Sequence, residues 1–320
     1  MKHRFRKAMF RYLLEIVSEG DGDATGRIIQ DLSRQTRNAN VQFQLCETAV
    51  RKIEGKSFVA HKDVEKIIEF VCDSAKRIGV YDKGTATRIL SLIMTDSIIK
   101  RAYAEIAEAM VFILDDRGMS ENILKRAFEI FKSDMQNRTK HILISENAIE
   151  GISKDEHYTC STLEFVRLAY CWIGVGRDIE YAKEIVGYGS PYAVGFTEYL
   201  ELAEFYINYP EERYTAFKFF RRAEEQANDF DDYCCLCHDL YLLVQNDVWA
   251  MQIFDKCRTM AKTADDFTRL GEIIGNKNGL PNMDLCREMF AMAMERAMTD
   301  EEKSCVQDSW ENVMEEHEIY

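Results

Sequence analysis

Four small residues recur through the second half of the chain at an almost fixed step. Ala182, Ala216, Ala250 and Cys286 lie 34, 34 and 36 residues apart. Each has an apolar residue four places on: Val186, Phe220, Phe254 and Phe290. The last three also have small residues at +7 (Ala223, Cys257, Ala293) and at +11 (Ala227, Ala261, Ala297). Steps of four and seven stack on one face of a helix. Twenty residues after each first-column position stands a large apolar one: Leu202, Leu236, Leu270 and Val306. Helices of this kind, repeating with this period, are the mark of a helical solenoid. The pattern says what the chain is built from and leaves open what it binds.

The rest of the composition agrees with an all-α chain. Proline occurs only at Pro191, Pro210 and Pro281, and no stretch alternates β-branched with polar residues over a useful length. Charge is uneven. Residues 1–101 hold 19 Lys and Arg against 13 Asp and Glu, and the remainder holds 22 against 42, for a net charge of −14. The acidic part repels nucleic acid and anionic membrane. The basic start reads as a solvated helix face that could also touch an acidic partner, including the chain's own acidic part. No apolar run approaches the about 20 residues that span a bilayer. Arg11 and Glu15 interrupt what would be the apolar core of a signal peptide, so Met1 to Val17 is expected to be a retained amphipathic helix. A cytoplasmic location and ten free thiols follow as expectations.

Along the chain, helices are expected at residues 5–19, 26–53 and 58–78, punctuated by Gly55 and Gly79-Val80. Asp21-Gly22-Asp23-Ala24-Thr25-Gly26 resembles the front of a calcium loop, but Leu32 stands where a bidentate Glu is needed, so a capping turn is the better reading. Leu32 to Thr36 only faintly suggests a helix-turn-helix, without its Gly-containing turn. From Asp82 the repeat chemistry begins: Ala86 and Leu90 are followed by Ile106-Ala107. Tyr103-Ala104-Glu105-Ile106-Ala107-Glu108 parallels Tyr199-Leu200-Glu201-Leu202-Ala203-Glu204. Residues 119–147 read as helix out of register, with Ala127 and Phe131 keeping the small-to-aromatic step. Register returns at Phe165, Leu168, Ala169 and Trp172, and residues 275–282 form a loop. The expected division is a basic helical segment over 1–80 and a repeat domain over 81–320, clearest over 160–297.

Two motifs give the repeat domain a resemblance. One helix reads Tyr199-x2-Leu202-Ala203-x2-Tyr206, then Tyr233-x2-Leu236-Cys237-x2-Leu240, then Phe267-x2-Leu270-Gly271-x2-Ile274. Its companion reads Ala216-x3-Phe220-x2-Ala223, then Ala250-x3-Phe254-x2-Cys257. These resemble the W-x2-L-G-x2-Y and A-x3-F-x2-A helices of tetratricopeptide repeats, whose period is about 34 residues. The chain departs from that family in lacking Pro after the second helix, where acid pairs Asp231-Asp232, Asp265-Asp266 and Glu301-Glu302 stand instead. Its link between paired helices is also one residue longer. The resemblance implies a right-handed α-solenoid that binds a protein or peptide, and it carries over no catalytic residue.

Chemistry-bearing motifs are few. Cys234-Cys235-Leu236-Cys237-His238 has the C-x-x-C-H spacing of haem attachment, and Cys234, Cys237 and His238 share a helical face that could hold zinc. Cys237, however, occupies the small-residue slot of Ala203 and Gly271, which favours free thiols. Met289, Met292, Met294 and Met298 read as core filler, with a greasy docking surface as the alternative. No Gly-rich phosphate loop, H-E-x-x-H motif or Ser/His/Asp spacing occurs. No cofactor or metal is expected, and no enzymatic activity. In the resembled family the first helix of each pair lines the concave surface. Two residues beyond the large apolar column, that surface would carry Tyr170, Glu204, His238 and Glu272, with Arg167, Asn208, Tyr241 and Arg269 one turn away. The expected function is a scaffold or assembly subunit holding a partner protein or peptide there. The alternative is a regulator whose N-terminal helices act on a target while the repeats sense a peptide.

Overall fold

How closely two helices can cross is set by the side chains at the crossing, and alanine columns permit the closest approach. The computed structural model describes residues 38–51, 61–80, 82–145, 161–279 and 281–318, and among these it is helical with no strand. The chain divides into two compact units, Met1–Gly189 and Ser190–Tyr320. The expected helix 5–19, the calcium-like turn and the helix-turn-helix suggestion lie outside the described residues.

The first unit contains α1 (Ala39–Arg51), α2 (His61–Gly79), α3 (Lys83–Ser91), α4 (Asp96–Leu114), α5 (Arg117–Ser145), α6 (Thr162–Gly176) and α7 (Ile179–Gly189). Each packs against its neighbours in sequence, and α2, α4 and α6 also touch in turn. Residues on both sides of the expected division at 80 therefore pack together, α2 against α3 and α4. Ala86, Leu90, Ile106 and Ala107 are buried, as are Ala127 and Phe131 on the 29-residue α5. Phe131 meets Tyr103 edge-on at 5.5 Å and Phe165 at 5.9 Å, so one aromatic cluster joins α4, α5 and α6. Two hydrogen bonds tie buried polar groups together: Gln42 Nε2 donates to Ser74 Oγ at 2.7 Å and Ser120 Oγ to the Ala107 carbonyl at 2.8 Å. Gly189 ends α7 where a Cβ would lie 2.7 Å from the Cβ of Phe165, a close approach that excludes a larger residue.

The second unit contains α8 (Phe196–Ile207), α9 (Arg213–Gln226), α10 (Phe230–Asp239), α11 (Asp247–Met260), α12 (Ala264–Gly275), α13 (Met283–Arg296) and α14 (Asp300–Glu318). A π-helical turn over Leu240–Val244 continues α10. The helices pair as α8 with α9, α10 with α11, and α12 with α13. The first members also touch in series, α8 to α10, α10 to α12 and α12 to α14. The sequence columns sit at these contacts. Ala216, Phe220, Ala250, Phe254 and Cys286 are fully buried on second helices, and Leu202, Leu236 and Leu270 on first helices.

The acid pairs have a local task. In each of α8, α10, α12 and α14 an acid in the first turn reaches back to the backbone before the helix. Glu198 accepts from the Val194 N–H, Asp232 from Asn228, Asp266 from Lys262 and Thr263, and Glu302 from Met298 and Thr299. These carboxylates satisfy donors that the helix leaves unpaired and meet the positive end of its dipole. They fix where each first helix begins, and so the register of what it presents.

Candidate functional site

Three first helices of the second unit border one open concavity of about 480 Å³. Leu200 and Glu204 line it from α8. Cys234, Cys235, His238 and Asp239 line it from α10. Arg269, Glu272 and Ile273 do so from α12, with Asn276 just beyond. Leu200 and Ile273 are mostly buried and give it an apolar floor, while His238 and Glu272 are exposed. Second helices hold the scaffold on the other side. Glu224 on α9 accepts from Lys256 and from the Trp249 indole on α11, at 2.8 and 3.0 Å, and Arg258 on α11 pairs with Glu288 on α13.

The electrostatics centre on two carboxyls. Asp239 is 7% exposed on α10, beside Glu204 of α8. Burial, then the charge of Asp239 and a hydrogen bond to it, then Glu201, push Glu204 up to about 8. At neutral pH Glu204 therefore keeps its proton, because two adjacent desolvated carboxylates repel one another. His238 Nδ1 lies 3.0 Å from Asp239 Oδ1. Arg269, the guanidinium of the cleft, is paired with Asp231.

The sign of the resulting pH dependence follows. Below the ordinary carboxyl range Glu204 is protonated whether folded or not. As pH rises towards about 8, the unfolded chain ionises this group while the folded one resists, so stability falls across that window. Glu204→Gln should remove this loss. The variant is expected to melt higher than the parent at pH 8, with a smaller difference at pH 5. Equal differences at both pH values would contradict a protonated Glu204.

The structure brings together Glu204, His238, Arg269 and Glu272 of the expected ladder. Asn208 is exposed at the end of α8, its Nδ2 donating to the Glu204 carbonyl at 2.8 Å, and it does not line the cleft. Tyr241 is a correction: it is 1% exposed, its hydroxyl donating to the Ile274 carbonyl at 3.1 Å. The π turn is wider than an α turn, so three residues beyond His238 fall short of a full rotation, and Tyr241 lands in the core. Arg167 and Tyr170 are both exposed on α6 in the first unit, where Arg167 pairs with Glu164 at 3.3 Å. Sequence reasoning missed Asp239. The available signal was an acid directly before the apolar run Leu240 to Val244.

Cysteine chemistry is muted. Every described cysteine is a free thiol, and no group of three or more His, Cys, Asp or Glu among the described residues is placed to hold a metal ion. Cys237 is buried, its Sγ 3.7 Å from the Ala250 carbonyl, whereas His238 is half exposed. Burial pushes the Cys46, Cys72 and Cys234 thiols up to about 12. Cys235 stands one turn from His238, but burial raises its thiol too, which opposes a nucleophilic thiolate. Mass mapping after brief alkylation of the native protein should find the exposed Cys235 and Cys305 modified well before buried Cys46, Cys237, Cys257 and Cys286. Ten thiols should titrate in denaturant. Early modification of Cys237 would refute its place in the core.

Of the methionines, Met289 is fully buried and Met298 is 91% exposed. No helix among the described residues is long and apolar enough to cross a membrane. The chain matches no protein-family model, and no curated protein matches it.

Proposed function

We propose that this chain is a non-catalytic scaffold or assembly subunit, built as a right-handed α-solenoid of tetratricopeptide-like helix pairs, that holds a partner protein or peptide in the cleft of its second unit. The observation that carries this reading is the concavity bordered by three successive first helices, with an apolar floor and exposed polar groups around it. Stacked repeats create concave surfaces of this kind, and a few convergent polar groups over an apolar base suit recognition. Two further facts support it. The helices touch first to first as well as within pairs. The one cysteine–histidine–carboxylate grouping in the cleft has a thiol raised by burial, which suits binding better than nucleophilic chemistry.

A photo-crosslinking residue at position 272 of the full chain, expressed in its native cell, tests the reading. Position 272 is expected to capture a discrete partner, and position 214, exposed on α9 away from the cleft lining, is expected not to. Capture from position 214 with none from 272 would overturn the cleft as the docking surface. The regulator alternative turns on the N-terminal residues, of which 1–37 lie outside the described set.

A further inference from the structure

We propose that the cleft of the second unit takes a basic segment of its partner, with a lysine or arginine head seated at the Glu204 and Asp239 carboxyls. This rests on the docking reading above and adds the chemistry of the occupant.

The first support is an imbalance of charge within the cleft. Glu204, Asp239 and Glu272 line it, while Arg269 is already paired with Asp231. Glu272 is exposed and makes no ion pair among the described residues. Two carboxyls brought together out of water stay unfavourable until a proton or a cation joins them. The cleft also suits a long cationic side chain. Leu200 and Ile273 offer an apolar floor to its methylene stem while the head reaches the carboxyls. An acidic peptide or a nucleic acid would meet repulsion here.

A second support is independent of the first. The first unit has its own open cleft of about 340 Å³ between α2 and α4. Glu69, Asp73, Glu105 and Glu108 line it, and Lys76 is the one basic residue among the described residues that do. Glu105 and Glu108 hold the positions in their helix that Glu201 and Glu204 hold in theirs. The faces of the first helices thus carry the same sign of charge in both units, each taken by itself.

A cation at the pair would displace the proton on Glu204, so binding should release protons. The groups around Glu204 are Glu201 on its own helix, Asp239, His238, Cys234 and Cys235 on α10, and Arg269 and Glu272 on α12. Affinity for a lysine head should then rise between about pH 6 and pH 8, where the free pair loses its proton and lysine keeps its charge.

The test uses the full chain and a fluorescein-labelled peptide of alternating lysine and alanine, read by anisotropy. The same peptide with every lysine acetylated and one with glutamate for lysine serve as comparisons. The lysine peptide should bind, and the other two should bind at least about tenfold more weakly, the scale of one charge-assisted contact. Glu204→Gln/Asp239→Asn should weaken the lysine peptide by about tenfold. Asp308→Asn/Glu315→Gln, which neutralises two exposed carboxylates on α14, should change it by less than about twofold. Glu204→Gln alone exchanges a protonated carboxyl for an amide and holds the fold. It should abolish the rise of affinity with pH and the proton release seen by calorimetry in buffers of different ionisation enthalpy. Equal losses in the two double variants would reduce the binding to diffuse charge and overturn the seat at Glu204 and Asp239. Equal affinity for the lysine and acetylated peptides, or no binding of either, would overturn the basic occupant. Crosslinking from position 272 would still stand in those cases, so failure of this proposal and failure of the docking reading give different results.

Discussion

A Phe254→Ala variant is expected to lose about 3–5 kcal/mol of stability. Phe254 is fully buried on α11, in the column it shares with Phe220 and Phe290. Helix α11 packs against α10, the π turn and α12, so removing the ring leaves a cavity bordered by two helix pairs. Closing that cavity would require α11 to move, and its ion pairs to Glu224 and Glu288 oppose such a shift. Exposed Tyr214→Ala is the comparison and should stay within about 0.5 kcal/mol of the parent. The chain has three tryptophans, of which Trp249 and Trp310 lie in the second unit. Denaturation followed by their fluorescence in a Trp172→Phe background reports on that unit alone. A loss below about 1 kcal/mol would show that Phe254 does not fill a packed crossing.

The opposite substitution tests the small column. Ala216→Leu and Ala250→Leu should each cost about 1–3 kcal/mol by overpacking, and the pair together on the order of 2–6 kcal/mol. Both alanines are fully buried on second helices where these cross their first helices, and Ala250 offers its carbonyl to the Cys237 thiol. A leucine would have to push α9 from α8, or α11 from α10. The two positions lie in different helix pairs, so near-additivity is the expected outcome. Chemical denaturation of the two single variants and the double variant checks it, and melting of both single variants like the parent would remove the basis of the column assignment.

Much of the second unit was legible because one chemical requirement recurs. A close crossing needs a small residue, the gap beside it needs a large one, and both return at each pair, so the columns stand out without any other information. The acid pairs recur in the sequence for a similar reason, since each opens a helix that must cap its own donors. The first unit was harder to read. Helix α5 runs for 29 residues, so Ala127 and Phe131 keep the local step while the long period breaks. Glu204, His238 and Glu272 were placed in one cleft by a constant offset of two from Leu202, Leu236 and Leu270, and Arg269 by lying one turn before Glu272, which holds while the helices stay α-helical. Tyr241 failed where that condition fails, in the π turn. Asp239 was hidden because nothing in its neighbours marks a buried acid as one half of a pair with a residue 35 positions earlier.

Docking in the cleft is tested most directly by the affinity of the crosslinked partner for the Glu204→Lys/Glu272→Lys double variant. Both positions line the concavity, one from α8 and one from α12, and neither is a member of the buried apolar columns. A lysine at 204 meets Asp239, so the melting temperature should stay close to that of the parent. Affinity for the partner should fall by at least about tenfold, with the Asp308→Asn/Glu315→Gln variant binding as the parent does. Unaltered affinity in the folded Glu204→Lys/Glu272→Lys protein would contradict docking at this cleft and place the binding surface elsewhere on the chain.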